Sequence, residues 1–139
     1  MMNQEKVNAL ANFLGCEVEE ITEGYAENLY EYGNEEYLVL TEEEAEDRAK
    51  TDILDSLWAF NTDFILEHTN IDWNDRIEKA MKKMQQELCE DANELLKAMI
   101  TDIDEFVEDA VSAFGRGHFL SSYDGEENEE GEYYIYRTN

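Results

Sequence analysis

Hydrophobic positions along this chain change period several times, and each change marks a predicted element. Val7, Leu10, Ala11 and Leu14 fall on one helical stripe, and Gly15 is placed to stop that helix. Residues 17–27 read as an acidic connector, helical or irregular. Leu29–Tyr32 and Glu35–Leu40 then flank Gly33-Asn34, a two-residue hairpin signal. Tyr37-Leu38-Val39-Leu40 is apolar on both faces, which predicts a central strand.

Thr41 opens the next helix, with Glu44 three residues on to complete a capping box. Ala45, Ala49, Ile53, Leu54, Leu57 and Trp58 follow at helical spacing. A short helix is expected over Asp63–Glu67, and Asp72 is placed to cap another that buries Trp73, Ile77, Ala80, Met81, Met84 and Leu88. The same period continues through Leu95, Leu96 and Met99 to Phe106, Val107, Ala110 and Phe114. A helix that long is out of scale for a small domain, so breaks are predicted near Glu90–Asp91 and at Thr101, where Thr101 and Asp104 would form a cap. After Gly115-Arg116-Gly117, two strands are expected, His118–Ser122 and Glu132–Arg137, joined by the polar turn Asp124–Gly131. The fold class that results is α+β: about four to five central helices with a small antiparallel sheet from two hairpins. Residues 1–139 are read as a single acidic domain.

Composition changes this picture in one respect. Of 139 residues, 36 are acidic and ten are Lys or Arg, for a formal charge of −26, while 42% are hydrophobic and 12% aromatic. The aromatic share exceeds that of disordered acidic chains. Self-repulsion destabilises a compact state carrying such charge, so a chain that folds despite it is expected to use the field. Glu outnumbers Asp 25 to 11 and large hydrophobics are plentiful, which argues against salt adaptation alone.

The acids are not evenly spread. Residues 17–47 hold thirteen acids and no Lys or Arg, and residues 101–139 hold eleven against Arg116 and Arg137. Arg76, Lys79, Lys82 and Lys83 cluster on one helix, where Glu78 with Lys82 and Glu87 with Lys83 form four-residue pairs. The acids singled out as a partner-binding surface are Glu17, Glu19, Glu20, Glu23 and Glu27, then Glu42, Glu43, Glu46 and Asp47, then Asp124, Glu126, Glu127, Glu129 and Glu130.

Size, charge, absence of Pro and a mixed pattern make the chain similar in composition to the antirestriction DNA mimics of the ArdA and Ocr types and to acidic anti-CRISPR proteins. The stretches Tyr37-Leu38-Val39-Leu40-Thr41-Glu42-Glu43-Glu44-Ala45 and Gly115-Arg116-Gly117-His118-Phe119-Leu120-Ser121-Ser122-Tyr123-Asp124-Gly125-Glu126 resemble a widespread group of small phage-encoded proteins without assigned function. The resemblance to DNA mimics implies inhibition of a host DNA-binding or defence protein by occupation of its basic groove. It rests on composition and carries over no residue. Carboxylates about 5–6 Å apart on a helix face, or about 6.6 Å apart along a strand, are suited to copying a row of phosphates.

Other chemistries find less support. Asp124, Glu126, Asn128 and Glu130 alternate like a calcium loop, but Glu129 stands where such a loop needs Gly and Ile135 where it needs Glu. His68 and His118 are not paired in sequence with Cys16 or Cys89, so no metal ligands and no cofactor are assigned. Gly115-Arg116-Gly117 lacks phosphate-loop spacing. Two separated cysteines fit free thiols in a reducing compartment, and no leader or spanning segment is read, so a cytoplasmic location is expected. The charge would repel anionic lipid and nucleic acid. The expected activity is therefore non-enzymatic: a DNA mimic bound to a basic nucleic-acid-binding protein. The alternative is an acidic adaptor or chaperone-like protein for another basic partner. Tyr30, Tyr32 and Tyr37 in one hairpin and Tyr133, Tyr134 and Tyr136 in the other are read mainly as sheet packing. A Tyr-rich strand at an open edge would also allow a homodimer.

Overall fold

The computed structural model describes residues 3–139 and has the expected α+β architecture. The chain forms two compact units. The first comprises the described residues up to Ala49 together with Phe114–Asn139, and the second is Lys50–Ala113.

The first unit is built on a five-stranded antiparallel sheet: β1 (Ile21–Glu23), β2 (Leu29–Tyr32), β3 (Glu35–Thr41), β4 (Asn128–Glu130) and β5 (Tyr133–Arg137), in the order β1-β2-β3-β5-β4. The Gly33-Asn34 hairpin forms as predicted, with Tyr32 opposite Glu35. Gly33 has φ +62°, a conformation glycine adopts at no steric cost, which lets the chain reverse in two residues. Central strand β3 is buried at Tyr37, Leu38, Val39 and Leu40, and pairs β2 on one side and β5 on the other. Helix α1 (Gln4–Leu14) lays Val7, Leu10 and Ala11 against Ile21, Tyr30, Tyr37, Val39 and Ile135 of one sheet face. Asn3 caps it by accepting from the amides of Glu5 and Lys6, and left-handed Gly15 ends it.

Three expectations for this unit fail. Ile21–Glu23, read as part of a helical or irregular connector, is edge strand β1. His118–Ser122 is not a strand: helix α7 (Arg116–Leu120) occupies it, seated so closely on the following loop that a Cβ on Gly117 would lie 2.3 Å from the Gly125 carbonyl oxygen. The partner of β5 is instead β4, whose Asn-Glu-Glu has poor strand propensity and is held by the second two-residue turn at Gly131-Glu132. Strand β5 therefore lies between β3 and β4, and its backbone is no open edge for a second copy.

The second unit is helical. Helix α2 (Glu42–Asp55) begins in the first unit, with the Thr41–Glu44 capping box in place: the Thr41 amide donates to Glu44 Oε1 at 2.9 Å and the Glu44 amide to Thr41 Oγ1 at 3.2 Å. It continues into the second unit, followed by α3 (Thr62–Leu66), α4 (Asp75–Leu88), α5 (Asn93–Met99) and α6 (Ile103–Phe114). The break expected near Glu90–Asp91 is a 3₁₀ turn over Cys89–Ala92. Cys89 there has φ +49°.

Three details of the helices differ from expectation. Asn74, not Asp72, caps α4, because Asn74 Oδ1 is the atom that reaches the Arg76 and Ile77 amides. Trp73 consequently precedes the helix and stands 41% exposed, and Trp58 is only half-buried. Asp102, not Thr101, caps α6 through the Glu105 amide, since the Thr101 hydroxyl is spent on the His68 carbonyl. Gln85, 3% exposed, ties the unit together: it accepts from Thr62 Oγ1 at 2.7 Å, and its Nε2 donates to the Phe60 and Trp58 carbonyls at 2.9 and 3.2 Å. No helix among the described residues is long and apolar enough to cross a membrane.

Candidate functional site

The first unit carries 20 acidic residues and four basic ones, so most of the chain's net charge lies on the sheet unit. All fourteen acids singled out from the sequence belong to it. Glu17 and Glu20 close a 3₁₀ turn on each other, with Glu20 Oε2 accepting from the Glu17 amide at 2.9 Å, and Glu19 stands exposed beside them. Glu23 ends edge strand β1, Glu27 follows in the β1–β2 loop, and Glu129 and Glu130 lie on the opposite edge strand β4. Glu43, Glu46 and Asp47 are exposed on α2, with Glu43 three and four residues before the other two, so its Cβ lies about 5–6 Å from theirs.

Three of the fourteen are drawn inward by internal partners. Arg116, its side chain only 11% exposed, extends its fork to Glu42 with Nη1–Oε1 at 2.8 Å and Nη2–Oε2 at 3.1 Å, and gives Nε to Glu127 at 2.7 Å. Its guanidinium carbon lies 4.7 Å from the centre of the Tyr134 ring. The Tyr136 hydroxyl donates to the same Glu127 oxygen. The fork, against the opposing effect of partial burial, holds the Glu42 carboxyl below the usual glutamate range. Burial alone would lower the guanidinium's hold on its proton, but the two carboxylates carry it above its ordinary value. Asp124 is also held low, by the Glu126 amide and the Ser121 hydroxyl. Glu42, Glu127 and Asp124 thus build the frame as much as the field.

Sequence reasoning passed over the hairpin acids. The register of β2 and β3 places Glu31 directly opposite Glu36, a like-charge pair that costs stability. The signal was present: a two-residue turn at Gly33-Asn34 fixes that pairing by counting. It also passed over Lys6, which is 3% exposed on the buried stripe of α1. Lys6 Nζ donates to Asn28 Oδ1 and Glu44 Oε1, both at 2.6 Å, pinning the β1–β2 loop and the start of α2 to α1. Burial pushes the Glu44 carboxyl up, but Lys6 and the Thr41 amide outweigh it and hold the group low. These residues floor an open cleft of about 620 Å³ rimmed by Glu23, Tyr25 and Glu27, with Tyr25 84% exposed.

In the second unit, one His-carboxylate group among the described residues has the composition of a metal site: His68, Glu105 and Asp109.

No protein-family model, curated protein or solved structure matches this chain.

Proposed function

We propose that the protein acts without catalysis, as an acidic mimic of duplex DNA that occupies the basic groove of a DNA-handling protein, of the restriction or CRISPR defence type that the compositional resemblance implies. The observation that carries the reading is how the four bases of the first unit are used. Lys6 is taken by Glu44 and Asn28, and Arg116 by Glu42 and Glu127. Arg137 lies over Tyr123 with its guanidinium carbon 3.6 Å from the ring centre, and gives Nε to the Asn139 carbonyl. Only Arg48 stands exposed. Those three bases are thus occupied, while Glu17, Glu19, Glu43, Glu46 and Glu129 stand exposed on a 3₁₀ turn, a helix face and an edge strand. Fixed carboxylates are what a phosphate-binding groove requires, because affinity for phosphate rows comes from many placed charges releasing counterions.

The test is capture of partners on the immobilised protein from a bacterial lysate, followed by a wash with excess duplex DNA. Retained proteins should be DNA-handling ones, should leave in that wash, and should bind progressively less as salt rises. A complex that withstands excess DNA refutes mimicry. Exposed Tyr25 favours the alternative of an adaptor for a basic protein. That reading requires a complex persisting in high salt and weakened by Tyr25→Ala.

A further inference from the structure

We infer that the second unit contains a divalent transition-metal site formed by His68, Glu105 and Asp109. One ligand atom from each residue lies within 4.8 Å of the others. His68 Nε2 and Asp109 Oδ2 are already 3.2 Å apart. Metal–ligand bonds of about 2.0–2.2 Å place adjacent donor atoms roughly 3–3.5 Å apart. Closing the group on an ion then requires only rotation of the exposed Glu105 side chain.

Its first element is a preorganised imidazole. The His68 ring packs 5.4 Å from Phe64 and 5.0 Å from Phe106, centre to centre, and its side chain is 11% exposed. Its backbone is fixed at both ends: the amide donates to the Ile65 carbonyl, and its own carbonyl accepts from the Thr101 amide at 2.9 Å and the Thr101 hydroxyl at 3.1 Å. Thr69 bridges Ile100 next to it. A ring held this way loses little freedom on coordination.

The second element is a like-charged pair. Glu105 and Asp109 are four residues apart on α6, a like-charge arrangement that destabilises a helix when nothing offsets it. One imidazole cannot neutralise both carboxylates, whereas a dication does. One nitrogen and two carboxylate oxygens suit Zn²⁺ and its neighbours in the first transition row, and the nitrogen disfavours Mg²⁺ and Ca²⁺, which take oxygen ligands. Three protein ligands leave at least one position for water or a donor from a partner. Asp109 is 53% exposed, so an ion can reach the site from solvent. Bound, the ion would clamp the turn after α3 to α6.

The experiment is isothermal titration of the intact chain with ZnCl₂ in excess Mg²⁺, which occupies the general acidic surface. The expected result is saturable binding of one equivalent, with a rise in Tm. Glu105→Gln and Asp109→Asn alter solvent-facing helix residues and preserve the fold, which circular dichroism checks. Each should weaken binding by more than the ~10–100-fold that loss of an outer-shell partner costs. His68→Gln should abolish the one-equivalent step, and His118→Gln should leave it intact. With Co²⁺ as probe, ligand-field absorption should appear in the parent chain and vanish in His68→Gln. No saturable step, or a step that survives both Asp109→Asn and His68→Gln, overturns the site and leaves only diffuse carboxylate binding.

Discussion

Replacing Arg116 with Met keeps most of the apolar stem and removes the fork that holds Glu42 and Glu127. The side chain is 11% exposed and makes three charge-assisted hydrogen bonds, with a ring contact to Tyr134. Breaking a fully buried pair costs about 3–5 kcal/mol. Glu42, at 53% exposure, regains water when its partner leaves, whereas Glu127, at 32%, does so less completely. The expected loss is therefore about 2–3 kcal/mol, between the buried and surface limits. Urea unfolding gives the assay. All eight Tyr lie in the first unit and both Trp in the second, so near-ultraviolet circular dichroism separates the two signals by wavelength. The tyrosine transition should move to lower urea with unchanged slope. Arg116→Lys should lose most of the same amount, because an ammonium keeps the charge and not the fork. The Glu42 carboxyl is held below its unfolded value, so this pair's contribution is present above the ordinary glutamate range near pH 4.3 and disappears as pH falls through the lower folded value. The Arg116→Met deficit should shrink accordingly in acid. A loss below about 0.5 kcal/mol at neutral pH, the size of an ordinary surface pair, refutes the reasoning.

Other expected outcomes follow from single contacts. Gln85→Leu removes the buried hydrogen bonds that tie the Thr62 hydroxyl and the Phe60 and Trp58 carbonyls to this side chain, and should cost about 2–4 kcal/mol in the tryptophan-detected transition. Gly117→Ala drives a methyl into the backbone of Gly125, Glu126 and Glu127, and should reach the upper end of the ~1–3 kcal/mol typical of overpacking, read as a lower Tm. Cys89→Gly relieves φ +49° at a non-glycine residue and should raise stability by about 1 kcal/mol by urea titration. Added NaCl should raise the parent Tm, because screening relieves repulsion such as that between Glu31 and Glu36; a Tm that falls with salt contradicts that account.

Features fixed by neighbours in sequence were legible in advance. The Gly33-Asn34 reversal, the Thr41–Glu44 cap, the Gly15 stop and the break after Leu88 each depend on a few adjacent residues. What escaped depends on distance. Strand β4 is Asn-Glu-Glu and becomes a strand only because β5 offers it hydrogen bonds. The one-turn helix α7 wins over the strand-like His118-Phe119-Leu120 because Gly117 lets the backbone close on the loop after it. Caps shifted by one or two residues, Asn74 for Asp72 and Asp102 for Thr101, because several side chains there can cap and geometry selects one. Among the acids singled out as a candidate surface, the sequence did not signal which ones Arg116 would claim. His68 meets Glu105 and Asp109 only through the fold, and no spacing in the sequence signals it.

The sheet ends on both sides in three-residue strands, and neither end strand carries a Lys or Arg. Short charged borders are how sheets refuse to recruit further strands. Here the charges that refuse are all of one sign, Glu23 on one border and Glu129 with Glu130 on the other, so the refusal acts through their field. The borders repel any copy of themselves most strongly where little salt screens them. As added salt shortens the screening length, that repulsion fades while the backbone groups of each border stay in place for pairing. Protection of the sheet's borders is thus a property of the medium as much as of the fold.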